Sequence, residues 1–252
     1  MSLVSGRGNG HVTPCELCPL RKRESLREFT AEELAYVKDF KVDELRVDPG
    51  ASFLREGTRS EHLYTVLSGW AFRYKMLDDG RRQILNYALP ADMVGLQGAL
   101  MREMEHSVEA LTPLTLCVFP RAKMWDLYSR VPSLAFDITW LAAREEQLID
   151  QHLLSVGRRS ALERTAYLLL HLFVRAQEAG MVKDNTIQFP FTQQHLADTL
   201  GMSLVHTNKT LKRLLQSNAV RWKDRVFELL DRASLVEIAG EDVKTLRPRP
   251  YI

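Results

Sequence analysis

The stretch FPFTQQHLADTLGMSLVHTNKTLKRLLQ, from Phe189 to Gln216, decides the fold of the C-terminal part of the chain. Pro190 marks an extended segment, because proline disfavours helix at the residue before it. Thr192 reads as an N-cap, since its hydroxyl can accept a backbone N–H of the first turn. A helix over Gln193–Leu200 follows, and Gly201 stands at its end, where a positive φ favours glycine. Ser203 caps a second helix, Leu204–Gln216. Two short helices joined by a glycine turn form a helix-turn-helix, and Ala197 is small enough for their close approach.

The second helix has two faces. Leu211, Leu214 and Leu215 form an apolar side, and Val205, His206, Asn208, Lys209, Lys212 and Arg213 form the other. Asparagine and basic side chains suit base edges and phosphate oxygens. Asn208 is a candidate for an adenine edge and Lys209 for a guanine. Thr192, Gln193 and Ser203, at the two helix starts, join them as candidate DNA contacts. Beyond the helix, Val220-Arg221-Trp222 and Val226–Leu229 flank Lys223-Asp224-Arg225, which reads as a basic hairpin, a wing, with Lys223 and Arg225 as further contacts. The alternative is a helix pair with a purely structural role.

Charge follows the same division. Residues 1–157 carry 19 basic and 22 acidic side chains, whereas 158–230 carry 11 and 6. Within Lys209–Arg225 six basic residues face one acid, Asp224. An acidic front and a basic back suggest a sensor half and a nucleic-acid half, and a solvated basic face is the bland alternative. The chain as a whole is ordinary: 252 residues, net charge +2, 45% hydrophobic and 26% charged. No apolar run approaches the ~18–20 residues of a membrane span. Residues 1–10 lack the apolar core of a secretory signal. Three cysteines, an odd number, make no disulfide framework. Together these features predict a cytoplasmic protein. Gly6-Arg7-Gly8-Asn9-Gly10 has no preceding strand and is dismissed as a phosphate loop.

Upstream, Thr30 and Glu33 form a capping box for a short helix, with Phe29 and Leu34 as its hydrophobic staple. From about Lys41 to Pro120 short apolar runs (Leu63–Leu67, Ala71–Leu77, Leu114–Phe119) alternate with turns such as Pro49-Gly50, Ser68-Gly69 and Asp79-Gly80. Such spacing predicts a sandwich or jelly roll. From Ser133 to Gly157 the period turns helical, with Leu134, Ile138, Leu141 and Leu148 on one stripe that Glu145, His152 and Ser155 continue. A long helix with a narrow stripe reads as a dimerisation helix, the alternative being a helix packed on its own domain. Gly157-Arg158-Arg159 reads as a hinge before a leucine-rich helix over Ala161–Ala176.

This order resembles the Crp/Fnr family of bacterial transcription regulators over about Cys15 to Leu230. The β-roll pattern is met by Pro49-Gly50, Gly57, Leu63-Tyr64, Gly69, Pro90, Asp92 and Gly95. The helix-turn-helix pattern is met by Thr192, Leu196-Ala197, Leu200-Gly201-Met202-Ser203 and Leu211. The resemblance implies an α+β chain with a β-roll (jelly-roll) sensor domain, a long dimerisation helix and a C-terminal winged helix-turn-helix. The expected divisions are 1–28 with its CxxC, 29–132, 133–157, 158–236 and a tail, 237–252. It also implies a homodimer on double-stranded DNA and contact with RNA polymerase. Two-fold symmetry predicts a palindromic operator with half-sites about 10 bp apart.

The cyclic-AMP-binding members carry a Gly-Glu pair and later an Arg-Ser pair. The matching residues here are Gly95-Leu96 and His106-Ser107, which leaves a phosphate without the arginine that would bond it. Cyclic AMP is disfavoured, and Asp92-Met93-Val94-Gly95 looks more like the Fnr branch. That branch carries Glu and then Ser-Arg on its recognition helix, where Val205, Asn208 and Lys209 stand here. The preferred half-site is therefore open.

Oxygen-sensing Fnr proteins hold a [4Fe–4S] cluster with three N-terminal cysteines and a later one. Cys15, Cys18 and Cys117 occupy three of those positions, and Glu24 the fourth. Thiolates suit iron and sulfide, so these four are the candidate ligands of an oxygen-labile cluster. A redox dithiol of Cys15 and Cys18, a zinc site of His11, Cys15, Cys18 and Cys117, and relic cysteines with Cys117 simply buried are the alternatives. No GxSxG, HExxH or Walker segment appears, so an enzyme is not expected. The rival from another class is an effector-binding β-roll that acts through protein partners.

Overall fold

The computed structural model describes residues 12–245 and 248–252. The glycine run at 6–10 and His11 lie outside the described residues. The chain forms two compact units.

The first unit comprises residues 1–72, 88–143 and 248–252. Its first helix, α1 (Ala31–Phe40), starts on the expected capping box. Thr30 Oγ1 accepts the Glu33 backbone N–H at 3.1 Å, and the Glu33 carboxylate accepts that of Thr30 at 2.8 Å. Phe29 stacks on Tyr251 with centroids 4.6 Å apart. The strands are β1 (Asp43–Val47), β2 (Ser52–Leu54), β3 (His62–Ser68), β4 (Ala71–Met76), β5 (Arg82–Ala88), β6 (Met93–Val94), β7 (Ser107–Ala110) and β8 (Leu114–Pro120). They build two four-stranded sheets, ordered β1-β8-β3-β6 and β2-β7-β4-β5, the expected β-roll. Alternation along β8 shows why both of its faces are apolar. Leu116 and Val118 join a core with Val47, Val66 and Val108, whereas Cys117 and Phe119 join one with Phe40, Leu63 and Leu127. Helices α2 (Leu96–Met101) and α3 (Met124–Arg130) complete this unit with the start of α4 (Pro132–Arg158).

The stripe on α4 corrects an expectation. Leu134, Ile138 and Leu141 belong to the core of their own unit, and Leu148 is buried too. They cannot also form a free dimer face. The polar continuation of the stripe is likewise engaged. Glu145 pairs with Arg73 at 2.7 Å, His152 Nε2 lies 3.3 Å from Gln83 Nε2, and Ser155 is buried. The reason is that α4 carries two apolar faces, and the more regular one covers the core. Phe136, Ile149, Leu153 and Leu154 remain on the surface.

A buried ion network ties the N-terminal segment to α4. Arg27 bonds Glu33 at 2.8 Å and Asp137, and Ser133 Oγ donates to Glu33 at 2.6 Å. Partial burial pushes the Glu33 carboxyl up, but the bonds from Arg27, Ser133 and the Thr30 backbone outweigh it and hold it at about 2. A carboxyl depressed on folding contributes stability that is present above its unfolded value, ~4.3, and lost as pH falls through the folded one. In Glu33→Gln the melting temperature is expected to lie below wild type at pH 6, with the gap closing towards pH 2. Thermal melts followed by circular dichroism across that range check it.

The second unit comprises residues 73–87 and 144–247. Its helices are the end of α4, α5 (Ala161–Glu178), α6 (Gln193–Leu200), α7 (Leu204–Leu215) and α8 (Arg232–Ala239). Between α4 and α5 the break falls at Arg159-Ser160, at the end of the expected hinge Gly157-Arg158-Arg159, whose first two residues lie inside α4. Ser160 and Glu163 form a capping box there. Strands β9 (Thr186–Gln188), β10 (Val220–Lys223) and β11 (Val226–Leu229) form an antiparallel sheet ordered β10-β11-β9. The distal β4–β5 hairpin is built into this unit. Arg82 pairs with Asp198 at 2.8 Å, Tyr87 Oη meets Thr199 Oγ1 at 2.8 Å, and Arg175 donates to Asn86 Oδ1 and Tyr87 O, both at 2.9 Å.

Candidate functional site

Caps and a turn set the helix pair. Thr192 Oγ1 accepts the His195 N–H at 3.2 Å, and His195 Nδ1 accepts that of Thr192 at 3.1 Å. The ring replaces the usual Glu or Gln of a capping box. Burial and the nearby Arg82 push the His195 imidazole down, which favours the neutral ring that this acceptor role needs. Gly201 ends α6 in the left-handed region, φ 62°. Its N–H donates to the carbonyl of Ala197, itself fully buried between the helices. Ser203 Oγ accepts the His206 N–H at 3.3 Å and so caps α7.

Helix α7 is buried along Thr207, Thr210, Leu211 and Leu214. Leu215 is half-buried, and the two threonines complete the inner face. Thr207 is tolerated there because its hydroxyl donates to Ser203 O at 3.0 Å. On the outer face Val205 is 79% exposed. His206, Lys209, Lys212 and Arg213 are exposed beside it, as are Thr192, Gln193 and Ser203. Asn208 differs: it is half-buried, and its Oδ1 is buried with no hydrogen-bond partner.

The wing turns at Asp224 and Arg225, both at positive φ, 52° and 67°. This is the conformation of a tight two-residue hairpin, here made without glycine. Lys223 and Arg225 are exposed. Arg221 is neutralised by Glu228, its cross-strand neighbour, at 2.6 Å. Behind the wing lies an aromatic cluster that the sequence pattern did not reveal. Phe189 meets Phe191, Trp222 and Phe227 at 5.0, 5.8 and 4.7 Å, and Phe173 meets Phe227 at 5.9 Å.

In the β-roll, Gly95 precedes α2 at φ 92°. Leu96 packs on the core, His106 is buried, and Ser107 Oγ accepts the Glu56 N–H at 3.1 Å. Met104, itself buried, lies so close to Gly98 that a Cβ there would meet its sulfur at 2.7 Å.

The cysteines, nearly a hundred residues apart in sequence, meet. Cys15, Cys18 and Cys117 line one cavity of about 30 Å3 with Lys41, Phe119, Tyr251 and Ile252. Lys41 Nζ donates to Thr13 O at 2.8 Å and to Glu44 at 2.6 Å. Burial pushes the Cys117 thiol up to about 12 and raises that of Cys15, with Lys41 opposing both shifts. Glu24 is exposed and outside that lining. Among the described residues no group of three or more His, Cys, Asp or Glu is arranged to hold a metal ion. Among the described residues, three thiols without a fourth donor do not fit a cluster held by four protein ligands.

A cyclic nucleotide-binding domain matches residues 44–131, and a Crp-like helix-turn-helix domain matches 163–238. The nitrogen fixation regulation protein FixK of Bradyrhizobium diazoefficiens is 31% identical over 241 residues, 95% of this chain and 98% of that protein. The transcriptional activator protein FnrL of Cereibacter sphaeroides is 26% identical over 232 residues, 90% of this chain and 92% of its own. The structure of FixK2 from Bradyrhizobium japonicum shares the fold, with a TM-score of 0.71 at 24% identity, over 81% of this chain and 98% of that one. With both domains in order and such identity over nearly its whole length, the chain belongs to the Crp/Fnr family of transcription regulators.

Proposed function

We propose that this DNA-binding regulator docks α7 in the major groove as one half of a homodimer. It is a transcription regulator and not an enzyme, as its family membership establishes. The observation that carries the docking mode is the division of α7. Its inner face is buried, while Val205, His206, Lys209, Lys212 and Arg213 stand outward beside the capped N-terminus. Lys209 is read as the base contact, Lys212 and Arg213 as phosphate contacts, and Lys223 and Arg225 as the wing's contacts. Thr192, Gln193 and Ser203 bond the backbone at the helix starts. Asn208 joins the base readers through a side-chain turn that brings its amide, half-buried here, to the surface.

The dimer face assigned to α4 is the exposed group of Ile149, Leu153 and Leu154. Leu153 is 70% exposed, and large apolar side chains grouped on a surface mark an interaction site. The signal reaches the first unit in the cytoplasm, and RNA polymerase is the partner on DNA. Leu96 and His106 bring no carboxylate or guanidinium to the nucleotide segment, which argues against cyclic AMP. The cysteine pocket is read as the receiver of a redox signal instead.

Binding-site selection on random DNA tests this. A palindrome with half-sites about 10 bp apart supports the dimer, and unselected sequence overturns it. Lys209→Ala is expected to relax the preference at one base position by about 1–3 kcal/mol. Lys212→Ala is expected to weaken all sequences alike and to lower the slope of log affinity against log salt by about one. Fluorescence anisotropy on the selected site and its single-base variants, at two salt concentrations, distinguishes the two.

A further inference from the structure

The last five residues of the chain, Pro248–Ile252, belong to the first unit, although the chain reaches them from the second. Three kinds of contact hold them there. Arg249 pairs as a parallel bridge with Leu26: its N–H donates to Ser25 O at 3.0 Å, and the Arg27 N–H donates to its carbonyl at 2.8 Å. Its guanidinium bonds Asp92 at 2.9 Å and Pro90 O at 3.2 Å. Tyr251 stacks on Phe29. Tyr251 and Ile252 are each 3% exposed, and both line the cavity of Cys15, Cys18 and Cys117. This short segment thus packs beside the three cysteines of the chain.

We infer that the C-terminal pentapeptide is the lid of the cysteine pocket, so that covalent modification of these thiols and docking of the tail exclude one another. Tyr251 and Ile252 line the cavity of about 30 Å3 together with the buried Cys117, so a bulky adduct on that thiol collides with those two side chains. Conversely, a reagent reaches Cys117, which is buried, only through an opening of its cover. Whatever binds one state shifts the population of the other. The released tail is the direct continuation of the DNA-binding unit, through α8 and residues 240–247. Thiol chemistry thereby loosens one of the four places where that unit's two segments continue into the first.

This inference deepens the reading of the pocket as a signal receiver, and its test is separable from that reading because it involves no DNA. The reduced full-length chain, a chain ending at Arg247 and a Tyr251→Ala variant are alkylated with iodoacetamide, and the rate at each cysteine is read by peptide mass spectrometry. Both variants are expected to react at the buried Cys117 about tenfold faster or more, because its exposure no longer waits on local opening. Should the variants fail to fold, the full-length chain carries the test in reverse. Prior alkylation of the folded protein is expected to speed release of Ile252 and Tyr251 by carboxypeptidase by a similar factor. Alkylation rates unchanged in folded variants, or carboxypeptidase release unchanged by alkylation, would overturn the lid. If the lid stands but alkylation leaves DNA affinity unchanged, the signal-receiver reading alone fails.

Discussion

Phe189→Ala is expected to cost about 3–5 kcal/mol of stability in the second unit, the range for removing a fully buried phenylalanine. Phe189 has no solvent exposure. Its ring is the shared member of the cluster behind the wing, with Phe191, Trp222 and Phe227 within 6 Å. These neighbours come from the lead-in to α6 and from the two wing strands. They cannot collapse onto the vacated volume without moving the wing. The Phe189 N–H also donates to Arg225 O at 2.9 Å, at the wing turn. Only Pro190 and Phe191 separate it from the N-cap Thr192. The loss therefore reaches DNA binding as well as stability. Urea unfolding followed by tryptophan fluorescence reads the change, in a variant that keeps Trp222 of the cluster and replaces the other three of the chain's four tryptophans. The two units can unfold in separate transitions, so the midpoint is read together with the slope. A cost below about 1 kcal/mol would mean that the cluster closes over the gap.

Gly69→Ala is expected to cost about 3 kcal/mol or more, from two independent sources. Gly69 has φ 93°, a region that costs an L-residue about 1–2 kcal/mol. In addition an added Cβ would lie 2.4 Å from the Pro113 carbonyl oxygen and 3.0 Å from Leu114 Cα. That backbone cannot give way cheaply, because β8 begins at Leu114 and is paired on both sides, to Val47 of β1 and to β3. The control is Gly80→Ala in the β4–β5 turn. Gly80 has φ 86° but nothing within 4 Å of its added Cβ, so it should lose only the backbone part. Melting temperatures of the two variants side by side separate strain from collision. Equal losses would show that the Pro113 carbonyl moves freely.

Local chemistry made the C-terminal half legible. Thr192, Gly201 and Ser203 each announce a helix end by a bond or a φ that few residues supply, and α6 spans the residues those signals bracket. The β-roll was legible from its turns for the same reason. What depends on contacts between distant segments was not. A stripe on α4 says that a face is apolar but not what it meets, so Leu134, Ile138 and Leu141 read as a dimer seam when they are core. The Ser160–Glu163 capping box was present in the sequence, yet Gly157 drew attention as the more familiar breaker. The meeting of Cys15 and Cys18 with Cys117 came from family resemblance, and the same resemblance put forward Glu24, which the fold leaves outside. Nothing in the sequence signalled that the tail would close that pocket, because a five-residue segment has no period to read.

The placement of the β4–β5 hairpin in the second unit has a practical consequence for dissecting this protein. A fragment cut before Arg144 would contain the helix-turn-helix and wing but lack Arg73–Tyr87. Arg175 would lose both acceptors at Asn86 and Tyr87, Asp198 its partner Arg82, and Phe191 the Tyr87 ring that lies 4.6 Å from it. A buried guanidinium that loses two of its hydrogen bonds is a costly defect. Where the chain is cut by sequence and where the protein divides by packing are different places, and an autonomous DNA-binding fragment must carry the hairpin with it.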